Sequence, residues 1–228
     1  AMLTNIKPAV AKSQDFAGEK TTKNDAFVEH VSKNNIINTI NTIQANLIIS
    51  LNLSVRQLED DLLLQRIYQA SAKYHVKPEY LQYEITETAF QDLEGKIELL
   101  TALRRQDSTI AIDDFGTGQS SLAYLKQLPV HEVKIDRAFI KDIEHNQNDE
   151  LIVQATTQLS HGLGLKVTAE GLENAAGLTK LQQHGVNTVQ GYFFSKPLPA
   201  AAFEQWLGEF EAKRAFWFGP DQKSGSHP

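Results

Sequence analysis

Cysteine is absent from the 228 residues. Disulfides and thiolate metal sites are therefore excluded, which suits a reducing cytoplasm, the expected location. No apolar run approaches the roughly 20 residues of a membrane span, so no span is expected. The N-terminus lacks a basic region followed by an apolar one, so no signal peptide is expected. Ala1-Met2 reads as a scar ahead of the natural segment. Positive charge is scarce: 22 Lys+Arg stand against 28 Asp+Glu, a net charge of −6. That argues against a nucleic-acid polymer as partner. It leaves a small anionic ligand open, because a bound divalent metal inverts the local field. No Gly-rich dinucleotide or P-loop fingerprint is present. The seven His show no metal-ligand spacing, and Ser120-Ser121 lacks the His and acid of a nucleophile elbow.

What the chain has instead is a series of short apolar segments, each ending in a polar residue. They are 47–52, 81–84, 109–114, 132–134, 166–170 and 188–190. Helix-like stretches follow most of them. The alternation implies an α/β fold built on a parallel sheet, with closure into a TIM-like β/α barrel as its expected form. The length fits one domain, at the small end of the about 200–250 residues usual for a barrel. Active sites of such barrels lie at the C-terminal ends of the strands. Asn52, Glu84, Asp113, Asp114, Lys134, Glu170 and Gln190 are therefore expected on one rim. Carboxylates, amides and a lysine in one bowl suit a hard cation and a phosphate.

Residues 1–25 are polar and poorly periodic, with 6–10 as a candidate first strand. The barrel is expected over 26–214, and 215–228 read as a tail rich in Gly, Ser and Pro. One or two short helices are expected within 26–44. Later helices are expected at 55–74, 93–105, 120–127, 149–161, 175–184 and 200–214.

Asp113-Asp114-Phe115-Gly116-Thr117-Gly118 closes an apolar strand. Two adjacent carboxylates suit one or two metals, and the glycines let the loop close around a ligand. A helix cap and a turn explain the same residues about as well. Lys134, between Val133 and Ile135, points into the barrel mouth if the strand is parallel. There it can hold a water or a phosphate oxygen. Glu170-Gly171 and Gln190-Gly191 repeat the pattern of a polar strand end followed by glycine.

With these motifs the chain resembles the EAL domain family of cyclic di-GMP phosphodiesterases. The matching stretches are SLNLSVRQL (50–58), YEITET (83–88), IAIDDFGTGQSSLAYLKQLPVHEVKIDRAFI (110–140), VTAEGLEN (167–174) and VQGYFFSKPLP (189–199). The resemblance covers residues 47–207. It implies a modified barrel with one antiparallel strand, and hydrolysis of cyclic di-GMP to pGpG with Mg²⁺ or Mn²⁺. It implies that Asn52, Glu84 and Asp113 ligate metal, and that Asp114 and Gln190 complete the metal and water site. It makes Lys134 the residue that positions water, Glu170 an acid that assists base chemistry or binds metal, and Glu87 the holder of the DFGTG loop.

The departures are N-terminal. The family's Glu-Ala-Leu signature is missing, and Gly18-Glu19-Lys20-Thr21-Thr22-Lys23 takes its place. Glu19 then stands for a metal-binding Glu, and Lys23 for a phosphate-binding Arg whose bidentate grip is lost. Gln119 replaces the usual aromatic after DFGTG. The resemblance thus implies a phosphodiesterase. The alternative is a catalytically inactive domain that binds cyclic di-GMP or a protein. The expected partners are cyclic di-GMP and, as an alternative to a monomer, a second copy of the chain.

Overall fold

The computed structural model describes residues 5–6, 48–91, 97–118, 125–199 and 202–209. Its centre is a seven-stranded sheet of β1 (Asn5–Ile6), β2 (Ile49–Asn52), β3 (Leu81–Thr86), β4 (Thr109–Phe115), β5 (Glu132–Ile135), β6 (Lys166–Glu170) and β7 (Thr188–Gln190). The order is β1-β7-β6-β5-β4-β3-β2. Every pairing is parallel. The antiparallel strand implied by the resemblance is not among the described residues. Sequential neighbours joined by helices are the signature of a singly wound sheet. The first strand lies beside the last, which is the neighbour relation of a barrel. The fold is a modified TIM-like β/α barrel.

The helices are α1 (Val55–Leu58), α2 (Leu63–Tyr74), α3 (Glu87–Gln91), α4 (Ile97–Arg104), α5 (Gln147–Gly162), α6 (Ala175–Gln183) and α7 (202–209). The single helix expected over 55–74 is two helices. The Ser54–Gln57 capping box starts α1, and the chain turns after Glu59. The Asp60 carboxylate then accepts from the Leu62 N–H at 2.9 Å, a local bond that competes with the helical ladder. Helix α5 begins two residues before its expected start. Asn146 caps it, with Asp149 and Glu150 in its first turn against the positive end of its dipole.

Strand faces alternate. Leu51, Tyr83, Ile85, Ile110, Ile112 and Val133 pack outward with Leu58, Leu63, Leu100 and Leu103 of the helices. Ile135, Val167, Ala169 and Val189 pack likewise with Val153, Leu178 and Leu181. Burying each large aliphatic side chain contributes about 1.5–3 kcal/mol. Among the described residues no helix is long and apolar enough to cross a membrane. The described first strand overlaps the expected 6–10 only at Ile6. The helices expected within 26–44, the helix at 120–127 except its end from Leu125, and the tail at 215–228 lie outside the described residues, as do Glu19, Lys23 and Gln119.

Candidate active site

The alternation that sends apolar side chains out sends polar ones in. Asn52 ends β2 and is in register with Glu84 of β3. Glu84 lies two residues before the end of its strand, not at the end, because β3 runs on to Thr86. The stagger of neighbouring strands still brings it level with the others. Lys134 is 1% exposed. Its Nζ lies 2.8 Å from Glu84 Oε2, 3.0 Å from Asp113 Oδ1 and 2.5 Å from Glu170 Oε1. Glu170 ends β6 in register with Gln190, the last residue of β7. Asn52 and Gln190 thus flank a lysine ringed by three buried carboxylates.

Consecutive strand residues normally point to opposite faces, so both members of an Asp-Asp pair do not normally reach one site. Here a register shift lies between Ile112 and Phe115, where β4 spends one residue more than β5. Asp114 adopts a left-handed φ of 55° at that bulge. Such strain in a non-glycine residue persists only where its surroundings hold it. The result is that Asp113, Asp114 and Glu170 each offer an oxygen within 4.8 Å of the others.

Glu87, the first residue of α3, holds the loop that follows. Its Oε2 accepts the N–H of Gly116 at 2.8 Å and of Gly118 at 3.2 Å. A Cβ on Gly118 would stand 2.8 Å from Glu87 Oε1, so glycine is what lets the loop settle onto the carboxylate.

The site is electrostatically unbalanced. Burial alone lowers the Lys134 pKa, but Glu84, Glu170 and Asp113 outweigh it and hold the ammonium well above the usual lysine range. Burial pushes the Glu170 carboxyl up; Lys134 opposes this, while Asp113 and Glu84 add to it. Three carboxylates against one ammonium leave two negative charges in excess, with Asp114 beside them. Buried charge left uncompensated is costly. An all-oxygen donor set with surplus negative charge fits Mg²⁺ or Mn²⁺.

Two contacts escaped the sequence reading. Arg137 Nη2 lies 2.5 Å from Glu173 Oε1, and Asn174 Nδ2 donates to Glu144 Oε1 at 2.6 Å. They tie the loop after β5 to the loop after β6. The partners are 36 and 30 residues apart, so no local signal announces them.

A curled parallel sheet carrying an acidic, lysine-centred cluster at its C-terminal rim, with oxygens grouped so that they could hold a metal ion, defines a β/α-barrel domain. The family model for the EAL domain matches residues 22–197, and the chain belongs to that family. It is 41% identical to the signaling protein YkoW of Bacillus subtilis over 165 residues, covering 72% of this chain and 21% of that protein. It is 40% identical to MucR of Pseudomonas aeruginosa, named a bifunctional diguanylate cyclase/cyclic di-GMP phosphodiesterase, over 153 residues, covering 67% of this chain and 22% of that protein. The chain thus spans about a fifth of these curated relatives. The solved structure of the PaMucR phosphodiesterase in complex with c-di-GMP superposes with a TM-score of 0.73 at 35% identity, covering 79% of this chain and 73% of that one. The family match opens at residue 22, so Glu19 lies outside it as well as outside the described residues.

Proposed function

We propose that this domain hydrolyses one phosphodiester bond of cyclic di-GMP to give pGpG, with Mg²⁺ or Mn²⁺, in the cytoplasm. The observation that carries the reading is the convergence of Glu84, Asp113 and Glu170 on Lys134, with Asp114 turned toward them by the bulge. The phosphodiesterase name of MucR, and the c-di-GMP in the PaMucR structure, support the choice of substrate.

Asn52, Glu84, Asp113, Asp114 and Gln190 would supply the oxygens that hold the cation. Glu19 is proposed as a further ligand from its position in the sequence. A bound divalent cation supplies positive charge for the phosphate and acidifies water. Lys134 holds three carboxylates around one point and is the residue assigned to positioning the attacking water there. Glu170, whose burial raises its proton affinity, accepts the proton that water loses as its oxygen joins phosphorus. The bond from phosphorus to one ribose oxygen breaks, and that oxygen takes a proton from water and leaves as a hydroxyl, while Glu170 returns its proton to solvent. Glu87 acts through the 116–118 backbone, keeping Asp114 at its bulge.

One observation favours a receptor instead: the Glu-Ala-Leu signature is missing, and the family match opens only at residue 22, within the segment that takes its place and past Glu19. Incubation of folded protein with cyclic di-GMP and saturating Mn²⁺ or Mg²⁺ decides between them. Chromatography is expected to show pGpG. Its absence after long incubation, with cyclic di-GMP still bound, establishes the receptor.

A further inference from the structure

The active-site layer rests on a second polar layer, one step deeper in the barrel. Residues i and i+2 of a strand share a face. Ser50 therefore underlies Asn52, Gln82 underlies Glu84, Glu132 underlies Lys134, and Thr168 underlies Glu170. Barrel interiors are usually filled at this depth by branched apolar side chains. Here Gln82 is 2% exposed, Glu132 6% and Thr168 0%. They form a hydrogen-bonded string across the barrel. Ser50 Oγ donates to Gln82 Oε1 at 3.1 Å, Gln82 Nε2 donates to Glu132 Oε2 at 2.9 Å, and Thr168 Oγ1 donates to Glu132 Oε1 at 2.5 Å.

Glu132 is the centre of this string. It stands on β5 and reaches Gln82 on β3, two strands away. Ala111 of β4 lies between, in register with both Glu84 and Glu132. Its methyl group is small enough for the bond to pass over. The other oxygen of Glu132 takes the hydroxyl of Thr168, the register partner of Lys134. One carboxylate thus connects the three strands that deliver Glu84, Lys134 and Glu170. Hydrogen bonds fix relative position more sharply than apolar contact does, because they are directional.

We propose that Glu132 is a positioning residue. By bridging Gln82 and Thr168 it sets the relative heights of β3, β5 and β6, so that Glu84, Lys134 and Glu170 meet at one point. This rests on the reading of that point as a metal site.

The test uses the full chain in three variants and three measurements: Mn²⁺ affinity by calorimetry with the metal alone, initial rates of cyclic di-GMP hydrolysis, and thermal melting. Glu132→Ala removes the bridge. Thr168→Val removes one arm of it at nearly constant volume. Glu132→Gln keeps the bridge without the charge. Its carbonyl still accepts from Thr168, and its amide donates to Gln82 once the Gln82 amide turns over. Glu132→Ala is expected to lower Mn²⁺ affinity and kcat about tenfold, the scale seen for groups that orient metal ligands, with KM nearly constant. Thr168→Val is expected to fall between it and the wild type. Glu132→Gln is expected to restore both quantities.

Folded Glu132→Ala or Thr168→Val with wild-type Mn²⁺ affinity and kcat overturns the proposal. So does Glu132→Gln as deficient as Glu132→Ala, since charge and not the bridge would then be at work. Should Glu132→Ala fail to fold, Thr168→Val decides by the same measurements. A wild type that binds Mn²⁺ but yields no pGpG sinks the phosphodiesterase reading alone, and the Mn²⁺ series still decides the role of Glu132. A wild type that binds no Mn²⁺ overturns both.

Discussion

The two faces of the same strands do opposite work. On β3, Tyr83 and Ile85 face outward into the helices, while Gln82 and Glu84 face inward. On β5, Val133 and Ile135 face outward, while Glu132 and Lys134 face inward. Strands of parallel sheets buried on both faces usually read as continuous apolar runs. These alternate instead, because the inner face gathers the polar and charged side chains that meet around Lys134. The outer face lowers the free energy of the fold through apolar burial. The inner face gathers like charges at a cost that the outer face offsets. Substitutions on the two faces should therefore separate stability from activity.

The largest effect is expected from Asp113→Asn. It keeps the volume and removes one of three carboxylates about Lys134. Turnover should fall by at least about a hundredfold, and Mn²⁺ affinity should fall with it. The melting temperature should stay level or rise, since a repulsive charge is gone. Unchanged Mn²⁺ affinity by calorimetry would refute its role as a ligand.

Glu87→Ala comes next. It frees the Gly116 and Gly118 N–H groups and loosens the bulge at Asp114. A loss of about 10–100-fold in kcat is expected, as for other groups that orient metal ligands, with the barrel still folded by circular dichroism. Wild-type turnover in that variant rules the loop role out.

Ile85→Ala probes the outer face. Ile85 is fully buried, so a loss of about 2–5 kcal/mol in unfolding free energy is expected. Turnover per folded molecule should be nearly unchanged. A matching fall in kcat, measured well below the melting range, would break the division between the faces.

The smallest effect concerns pH. The Ile110 N–H donates to His131 Nδ1 at 3.1 Å, where β5 begins. Burial first, then Arg104 of α4 and Lys166 of β6, lower the His131 pKa, against an opposing pull from Glu132. The unfolded state takes up a proton near pH 6.5, which the folded state resists. The contribution of His131 is therefore present above about pH 6.5 and lost as pH falls from there toward the lower folded value. Melting between pH 7.5 and 5.5 should show a shallower decline in His131→Gln than in the wild type. Equal slopes would remove His131 from the pH response.

Lys166–Glu170 and Thr188–Gln190 form strands over the spans read from the sequence. Short β-branched runs closed by glycine leave the backbone little choice there. The break between α1 and α2 was missed because the apolar period continues across 59–62, while the competing bond belongs to one Asp60 side chain. Asp113-Asp114 stood out as a pair, but its bulge did not. A bulge is a count of residues on two strands, and β5 lies some twenty residues further on. Glu132 read simply as the start of a strand, since its partners are 50 and 36 residues away.

Composition and pattern alone were enough for the alternation of strand and helix, the polar strand ends and their chemical type, because backbone preference and side-chain period act over a few residues. Folding had to supply the rest. It made one lysine the shared partner of three carboxylates, turned Asp114 to the side of Asp113, and placed a hydrogen-bonded layer beneath them. Each of these depends on distances between strands far apart in the chain, and such distances exist only once the sheet has curled and its registers are set.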